Sequence, residues 1–306
     1  MKKQVLPLIL CGGIGHRLRP LSSVESPKQF IPIVTQYSLL QETVLRVSDA
    51  STFLHPTFAT NSNYYTLLKQ HLTGINCKYS NIILEPEYKN TAAAVAVAII
   101  HLQHKYPSDT PVLILPTDHY IPKNCAFVTL VQQMVAHLSF NRKTIIAFGI
   151  HSDENQTQYG YIEYGEDAIS EGESIYHVQK FVAKPDKEVM ETCTGNNKYF
   201  WNSGIYFATL GSIFRNLQQH APILHEICDK AIKQGMCSVN TSNLIPDPYL
   251  FSLAENTTIE KAIMEKTRNL LAHPLGMEWE DVGDWNTILK LATQQHDRKQ
   301  NGSTDQ

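Results

Sequence analysis

The sequence predicts an α/β fold with a mixed, mostly parallel central sheet flanked by helices. Three observations carry that prediction. Short apolar runs alternate with longer helical patterns through the first half of the chain. A glycine-rich loop follows the first apolar run and a polar "PTDH" turn follows a later one, as at the carboxyl edge of a parallel sheet. After about residue 150 the pattern changes to extended segments and then helices, an α+β half built on or beside the same sheet.

"VLPLIL" reads as the first strand. The lysines before it imitate a signal peptide, but the run is short, contains Pro7 and feeds straight into the glycine loop. "SLLQETVLRVSD" places Leu40, Val44 and Val47 on one helical face after an N-cap candidate, Ser38. "HPTFAT" and "NIILEP" are strands separated by another helical segment, and "NTAAAVAVAIIHLQHKY" is an alanine-rich helix capped by Asn90 or Thr91. "PVLILPTDHYI" is a buried strand running into a polar loop; a helix and the strand "KTIIAFGI" complete this half. Then come the extended segments "YGYIEYG" and "SIYHVQKFVAKP", helices near 186–194, 209–234 and 258–266, and the strand "NLLAHPL". With no low-complexity linker, residues 1–293 form one composite domain, and the tail 294–306, which loses its apolar positions, is expected to fray.

The 306 residues, 42% hydrophobic and 18% charged, describe an ordinary globular chain with a sizeable core. A net charge of −3 gives no basic footprint for nucleic acid or an anionic membrane, and no apolar stretch approaches the roughly 18 residues of a membrane span. Cys11, Cys77, Cys125, Cys193, Cys228 and Cys237 are scattered without a CxxC pair, which indicates neither a zinc site nor a disulfide framework and places the chain in the cytoplasm.

The loop "CGGIGHRLRPLS" offers Gly12, Gly13 and Gly15, which can take positive φ and bring backbone N–H groups close to a phosphate, with Arg17 and Lys28 adding charge. A P-loop pattern is absent, and a dinucleotide fingerprint fails at Leu18; the bland reading is a plain glycine turn. Asp118 follows an apolar strand and Asp281 stands in the aromatic setting "EWEDVGDW"; two carboxylates converging on a polyphosphate suggest Mg²⁺, although either alone suits a loop cap. His119 reads as a local hydrogen-bonding group, His101 and His104 as helix-surface residues, and Trp201, Trp279 and Trp285 as core or pocket wall. Asn202 and Ser203 in "FWNSGIYF" suit either a polar reader at a strand edge or a β-turn, and Lys184 ends a strand before a proline.

Taken in order, these pieces resemble the sugar-nucleotide pyrophosphorylases, in particular bacterial mannose-1-phosphate guanylyltransferases. The matching segments are "GGIGHRLRPLS", "PKQF", "EPEYKNTA", "PTDH", "YGYI", "FVAKP", "WNSG" and "DVGDW", with "IEKAIMEK" before the last strand. The resemblance implies a Rossmann-like nucleotidyltransferase fold, GTP and a sugar 1-phosphate as substrates, and GDP-mannose and pyrophosphate as products. It implies that the glycine loop, Arg17 and Lys28 cradle the triphosphate, that Glu85, Pro86, Asn90 and Thr91 border the purine, and that Asp118 and Asp281 hold Mg²⁺. Lys184 would contact the sugar phosphate, and Gly160, Glu163 and Asn202 would read sugar hydroxyls.

The chain departs from that pattern at four places. Cys11 stands for an alanine, Arg19 for a tryptophan, Ser23 for an arginine, and Ala183 for the glutamate of F-x-E-K-P, which would accept from sugar hydroxyls. Ala183 keeps other readings open: another sugar 1-phosphate such as a manno-heptose, another nucleotide, or a silent binder of nucleotide. A nicotinamide oxidoreductase is disfavoured by Leu18. Monomer and homodimer are both compatible with the sequence.

Overall fold

The computed structural model describes residues 3–13, 15–122, 124–140, 142–151, 156, 158–168, 174–183, 198–238 and 243–300. Its first half holds β1 (Leu6–Cys11), α1 (Leu39–Arg46), β2 (Thr57–Asn61), α2 (Tyr65–Gly74), β3 (Asn81–Glu85), α3 (Asn90–Gln103), β4 (Pro111–Pro116), β5 (His119–Tyr120), α4 (Asn124–Phe140) and β6 (Ile145–Ile150). The second holds β7 (Tyr161–Ala168), β8 (Tyr176–Val182), β9 (Tyr199–Thr209), α5 (Leu210–His220), α6 (Pro222–Gln234), β10 (Met236–Ser238), β11 (Asn243–Ile245), α7 (Pro248–Ser252), β12 (Leu270–Pro274), β13 (Glu280–Asp281) and α8 (Trp285–Gln300).

Eleven strands among the described residues form one mixed sheet in the order β10-β11-β3-β2-β1-β4-β9-β6-β12-β8-β7. From β11 to β4 every neighbour is parallel, and β9 then enters antiparallel to both β4 and β6. β7 also pairs with β9, so β9, β6, β12, β8 and β7 close a circuit at the far end. Strand alternation sorts the core into two layers: Leu6 and Leu8 of β1 join α3, α5 and α6 on one face, while Val5, Ile9 and Cys11 join α1, α2 and α4 on the other. Helix α3 is buried all round from Ala92 to Leu102, as its run of alanine, valine and isoleucine requires, because it lies between the sheet and α5–α6.

Ser38 caps α1 in a capping box with Gln41, as its position suggested. Several expectations are corrected. The helical stretch 209–234 is two helices, because Pro222 has no N–H to continue the first and suits the opening turn of the second. Neither Asn90 nor Thr91 caps α3 from outside: Asn90 is its first residue, at φ 65, with Lys89 before it. The helix expected near 258–266 is present as a wide π-type turn, Glu260–Met264, in which the Glu265 N–H reaches the Glu260 carbonyl at 2.9 Å. "WNSG" is not a turn but lies inside β9, where Gly204 at φ 73 opens a bulge opposite Phe148. His101 is buried, with Nε2 3.4 Å from Asn81 Oδ1, and burial lowers its pKa to about 4; His104 is exposed as expected. Helix α8 runs from Trp285 to Gln300, and its later turns are rich in lysine, arginine and glutamine, which are good helix formers even without apolar positions. The helix expected at 186–194 lies outside the described residues.

Candidate active site

The strand order reverses between β1 and β4, which is where an open α/β sheet forms a crevice at its carboxyl ends. The glycine loop leaves β1 there and Thr117–Asp118 leaves β4, with the Thr117 hydroxyl donating to the Leu10 carbonyl at 3.1 Å. The loop is pinned from several directions. Gln29 Nε2 donates to the carbonyls of Cys11 (3.3 Å) and Gly13 (3.1 Å), Thr60 donates to Cys11 O (3.1 Å), and Ser22 donates to Gly15 O (2.6 Å). Gly13 at φ 86 and Gly15 at φ 77 hold the left-handed geometry that keeps loop N–H groups available for an anion. A Cβ on Gly15 would lie 2.9 Å from Lys28 Cβ, so the lysine stem runs flat along this glycine. Gly15→Ala therefore combines a left-handed alanine, costing about 1–2 kcal/mol of stability, with displacement of Lys28. The expected kcat/KM falls about 100-fold, far more than the urea midpoint shift accounts for; full activity in this variant would show that Lys28 is not held by the loop.

Lys28 is buried, and its Nζ lies 2.7 Å from Asp118 Oδ2, 3.9 Å from Asp281 Oδ1 and 3.2 Å from the Val282 carbonyl, to which it donates. Asp281 is delivered by β13, which pairs antiparallel with β5, Asp281 opposite His119, while Val282 N–H donates to Asp118 O at 2.9 Å. Burial opposes ionisation of Asp118, but Lys28 outweighs it, helped by His119 and the residue's own N–H, and the carboxyl is held at about 2. Burial likewise lowers the Lys28 ammonium, yet Asp118 and Asp281 outweigh it against repulsion from Arg17, and its pKa is raised. Arg17 reaches the same place: a Cβ on Gly283 would sit 2.7 Å from Arg17 Nη2 and 3.3 Å from Asp281 Oδ1. Gly283 thus packs between Arg17 and Asp281, a contact that the sequence reading overlooked although "DVGDW" contains it.

His119 is buried beside this pair, Nε2 3.8 Å from Asp118 Oδ1 and edge-on to Trp279 at 5.1 Å. Burial first, then Arg46 and Lys28, lowers it to about 4 despite Asp118, so it is neutral at pH 7. Behind it, fully buried Arg46 donates to the His119 carbonyl at 3.4 Å and faces the Phe127 ring at 5.9 Å. One ligand atom each from Asp118, His119 and Asp281 fall within 4.8 Å of one another. Two carboxylates on a polar crevice fit a hard divalent ion that keeps waters and phosphate oxygens as its other ligands.

Across the loop, Glu85 closes β3 and is buried, and desolvation pushes its carboxyl up to about 8. Half-exposed Tyr88, also missed from sequence, bridges the two regions: its ring edge would be 3.8 Å from a Cβ on Gly12, and burial, then Glu85 and Asp118, raise its phenol. Pro86 follows Glu85 half-buried, and the Asn90 side chain accepts from Thr91 N–H at 3.1 Å. Thr91 is turned to a structural task, its hydroxyl accepting from Ile259 N–H at 2.9 Å.

Gly160 and Asn202 meet at the end of the closed circuit: Asn202 N–H donates to Gly160 O at 2.7 Å, and a Cβ on Gly160 would be 3.4 Å from Asn202 Cβ and 3.6 Å from Ala183 Cα. Glu163 lies further along β7, opposite Lys180 and Tyr199. Ser203 is buried and donates to Phe148 O at 2.7 Å, a packing role. Trp279 is buried and Trp201 stacks at a tilt on Tyr159 at 4.8 Å, whereas Trp285 is exposed, its Nε1 donating to Arg19 O at 3.2 Å. Lys184 lies outside the described residues.

The family model described as "Nucleotidyl transferase" matches residues 6–298. The chain belongs to the nucleotidyl transferase family. Its relatives in this family include a mannose-1-phosphate guanylyltransferase of Sinorhizobium fredii, 33% identical over 97% of this chain and 57% of that protein. A xanthan biosynthesis protein of Xanthomonas campestris pv. campestris is 34% identical over 95% and 60%, and a mannose-1-phosphate guanylyltransferase of Escherichia coli 31% over 95% and 62%. The chain therefore spans about 60% of the length of the curated relatives it matches. Among solved structures, a protein described as mannose-1-phosphate geranyltransferase from Thermus thermophilus superposes with a TM-score of 0.78 at 22% identity, over 96% of this chain and 80% of that one. Another, described as mannose-6-phosphate isomerase from Helicobacter pylori, gives 0.74 at 20% identity over 91% and 100%. Both share the nucleotidyl transferase fold of this chain.

Proposed function

We propose that the chain is a Mg²⁺-dependent guanylyltransferase that joins GTP to mannose 1-phosphate, giving GDP-mannose and pyrophosphate. The observation that carries this reading is the juxtaposition, at one switch point, of a glycine loop, a buried lysine clasped by two carboxylates, and a third, buried carboxylate, Glu85. The names of the relatives support it. A phosphate oxygen of the sugar 1-phosphate, already ionised at neutral pH, attacks the α-phosphorus of GTP; a new P–O bond forms as the α–β bridge breaks and pyrophosphate leaves. No general base is needed, so a neutral His119 is no obstacle. The chain's task is in-line positioning and neutralisation of charge. Loop N–H groups, Arg17 and Lys28 face the triphosphate, and Lys184 is assigned to the sugar phosphate. Asp118 and Asp281 would hold Mg²⁺, which would neutralise phosphate charge when bound.

Glu85 selects the base. Guanine presents N1–H and the 2-amino group as adjacent donors on one edge, which a carboxylate accepts, whereas adenine offers an acceptor at N1. Pro86, Tyr88 and Asn90 border the base plane, and Gly160, Glu163 and Asn202 read the sugar. Unpaired thiols at Cys11, Cys77, Cys125 and Cys228 suit the reducing cytoplasm in which we place the protein. A second reading, the same reaction on a different sugar 1-phosphate such as a manno-heptose, is favoured by Ala183. Pyrophosphate release with GTP and each of mannose, glucose, galactose and manno-heptose 1-phosphates separates the two. A best substrate other than mannose 1-phosphate replaces the first reading by the second.

A further inference from the structure

At the sugar end of the crevice the residue Ala183 has a methyl group and can accept nothing, while a sugar ring brings several hydroxyl donors that need acceptors. Asn202 fills only part of that need. Its Oδ1 already accepts from Gly204 N–H at 3.1 Å, and its Nδ2 donates to the Tyr206 hydroxyl at 2.9 Å, leaving it one N–H and one Oδ1 lone pair to offer, in a fixed orientation. That orientation is set from below, where buried Tyr206 donates in turn to Glu260 Oε1 at 2.9 Å.

A carboxylate reaches Ala183 from elsewhere in the chain. Glu265 is exposed, and its Oε1 accepts from the backbone N–H of Ala183 at 2.9 Å across 82 residues of sequence. The wide turn Glu260–Met264 explains its placement: the extra residue in this turn sends Glu260 inward to Tyr206 and leaves Glu265 at the outer end. Ala183 in turn lies against Gly160, whose missing side chain leaves only 3.6 Å between the Cβ position and Ala183 Cα, and Gly160 lies against Asn202. One hydrogen bond from Ala183 uses a single lone pair of Glu265, so its second oxygen and remaining lone pairs can accept.

We infer that Glu265 is the residue that determines sugar specificity, accepting hydroxyl protons of the sugar ring in place of the carboxylate that position 183 lacks. This rests on the sugar-1-phosphate reading given above. Because Glu265 comes from the turn after α7 rather than from β8, it approaches the ring with a different reach than a side chain at 183 would, and it recognises a hydroxyl pattern through acceptor strength rather than shape. Glu260 positions Asn202 through Tyr206 and touches no sugar.

The test uses the full chain with Mg²⁺ and GTP, reading both steady-state pyrophosphate release and equilibrium binding of mannose 1-phosphate, its single-deoxy analogues and glucose 1-phosphate. Glu265→Gln and Glu265→Ala are expected to raise the sugar-phosphate KM and Kd about tenfold or more, with the GTP KM changed less than about twofold. One deoxy analogue, the one lacking the hydroxyl that Glu265 accepts from, is expected to be bound alike by wild type and variants. Ala183→Glu in the Glu265→Gln background restores a carboxylate and at least half of the lost affinity. Unchanged sugar KM and Kd in both Glu265 variants overturns the assignment and leaves the guanylyltransferase reading standing. Wild-type protein that neither binds nor turns over any of the sugar phosphates overturns both. Equal losses for sugar phosphate and GTP, unrescued by Ala183→Glu, would make Glu265 a structural residue only and also overturn it.

Discussion

Lys28→Met lowers kcat/KM for guanylyl transfer about 10²–10³-fold, the range for losing one preorganised charge stabiliser. Its ammonium bonds Asp118 Oδ2 while its stem lies along the loop at Gly15, so a methionine of similar length keeps the packing and removes the charge. The same variant has a stability signature. The Asp118 carboxyl is held at about 2, below its ordinary 3.8, so its contribution is present above about pH 4 and is lost as pH falls toward 2. Without Lys28 the two carboxylates lose the ammonium between them, the acid limb of the urea stability profile moves to higher pH, and stability at pH 7 falls by about 1–3 kcal/mol. Arginine at this position does not rescue turnover, because a planar fork cannot lie in the slot along Gly15. Wild-type kcat/KM in Lys28→Met would remove the lysine from the chemistry.

Glu85→Gln changes base choice. The GTP KM rises about 10–100-fold as a charged acceptor of two donors is lost, and the preference for GTP over ATP collapses, measured by pyrophosphate release with each nucleotide. Without ligand the effect on stability has the opposite sign. Glu85 has a folded pKa of about 8 against an ordinary 4.5, so the folded chain binds the extra proton between these values. The stability this supplies is complete below about pH 4.5 and is lost as pH rises through 8. The glutamine variant lacks that slope, so it melts above wild type at pH 8.5 and level with it at pH 4.5. Binding guanine draws the proton from Glu85, and GTP therefore releases a proton on binding near pH 7, which calorimetry in buffers of different ionisation enthalpy measures. A GTP preference that survives Glu85→Gln would move base selection elsewhere.

How far the sequence reached is plain from individual residues. The parallel strands from β1 to β4 were readable because buried strands leave unbroken apolar runs, and the placement of the glycine loop and Asp118 at one edge followed from the carboxyl-edge rule. Its aromatic setting and the resemblance both pointed to Asp281, but the reason it meets Asp118 is the two-residue pairing of β13 with β5, far too short to leave a periodic pattern. Lys28 donating to Val282, 254 residues away, has no local signature at all. The same holds for Tyr88 against Gly12, Arg17 against Gly283 and Glu265 against Ala183: each is a contact between loops. Apolar periodicity reports which face of an element is buried, not where its polar ends converge. His101 was misplaced for a related reason, since its polar side chain occupies a helix that is buried on every side.

The most direct measurement is pyrophosphate release by the purified chain with Mg²⁺ and mannose 1-phosphate, supplied in turn with GTP, ATP, UTP and CTP. Release with GTP, abolished when the sugar phosphate is left out, is the predicted result and joins the loop, Lys28 and Glu85 in one reaction. Release that is equal for all four nucleotides would contradict the role given to Glu85, and no release with any of them would contradict the guanylyltransferase account itself.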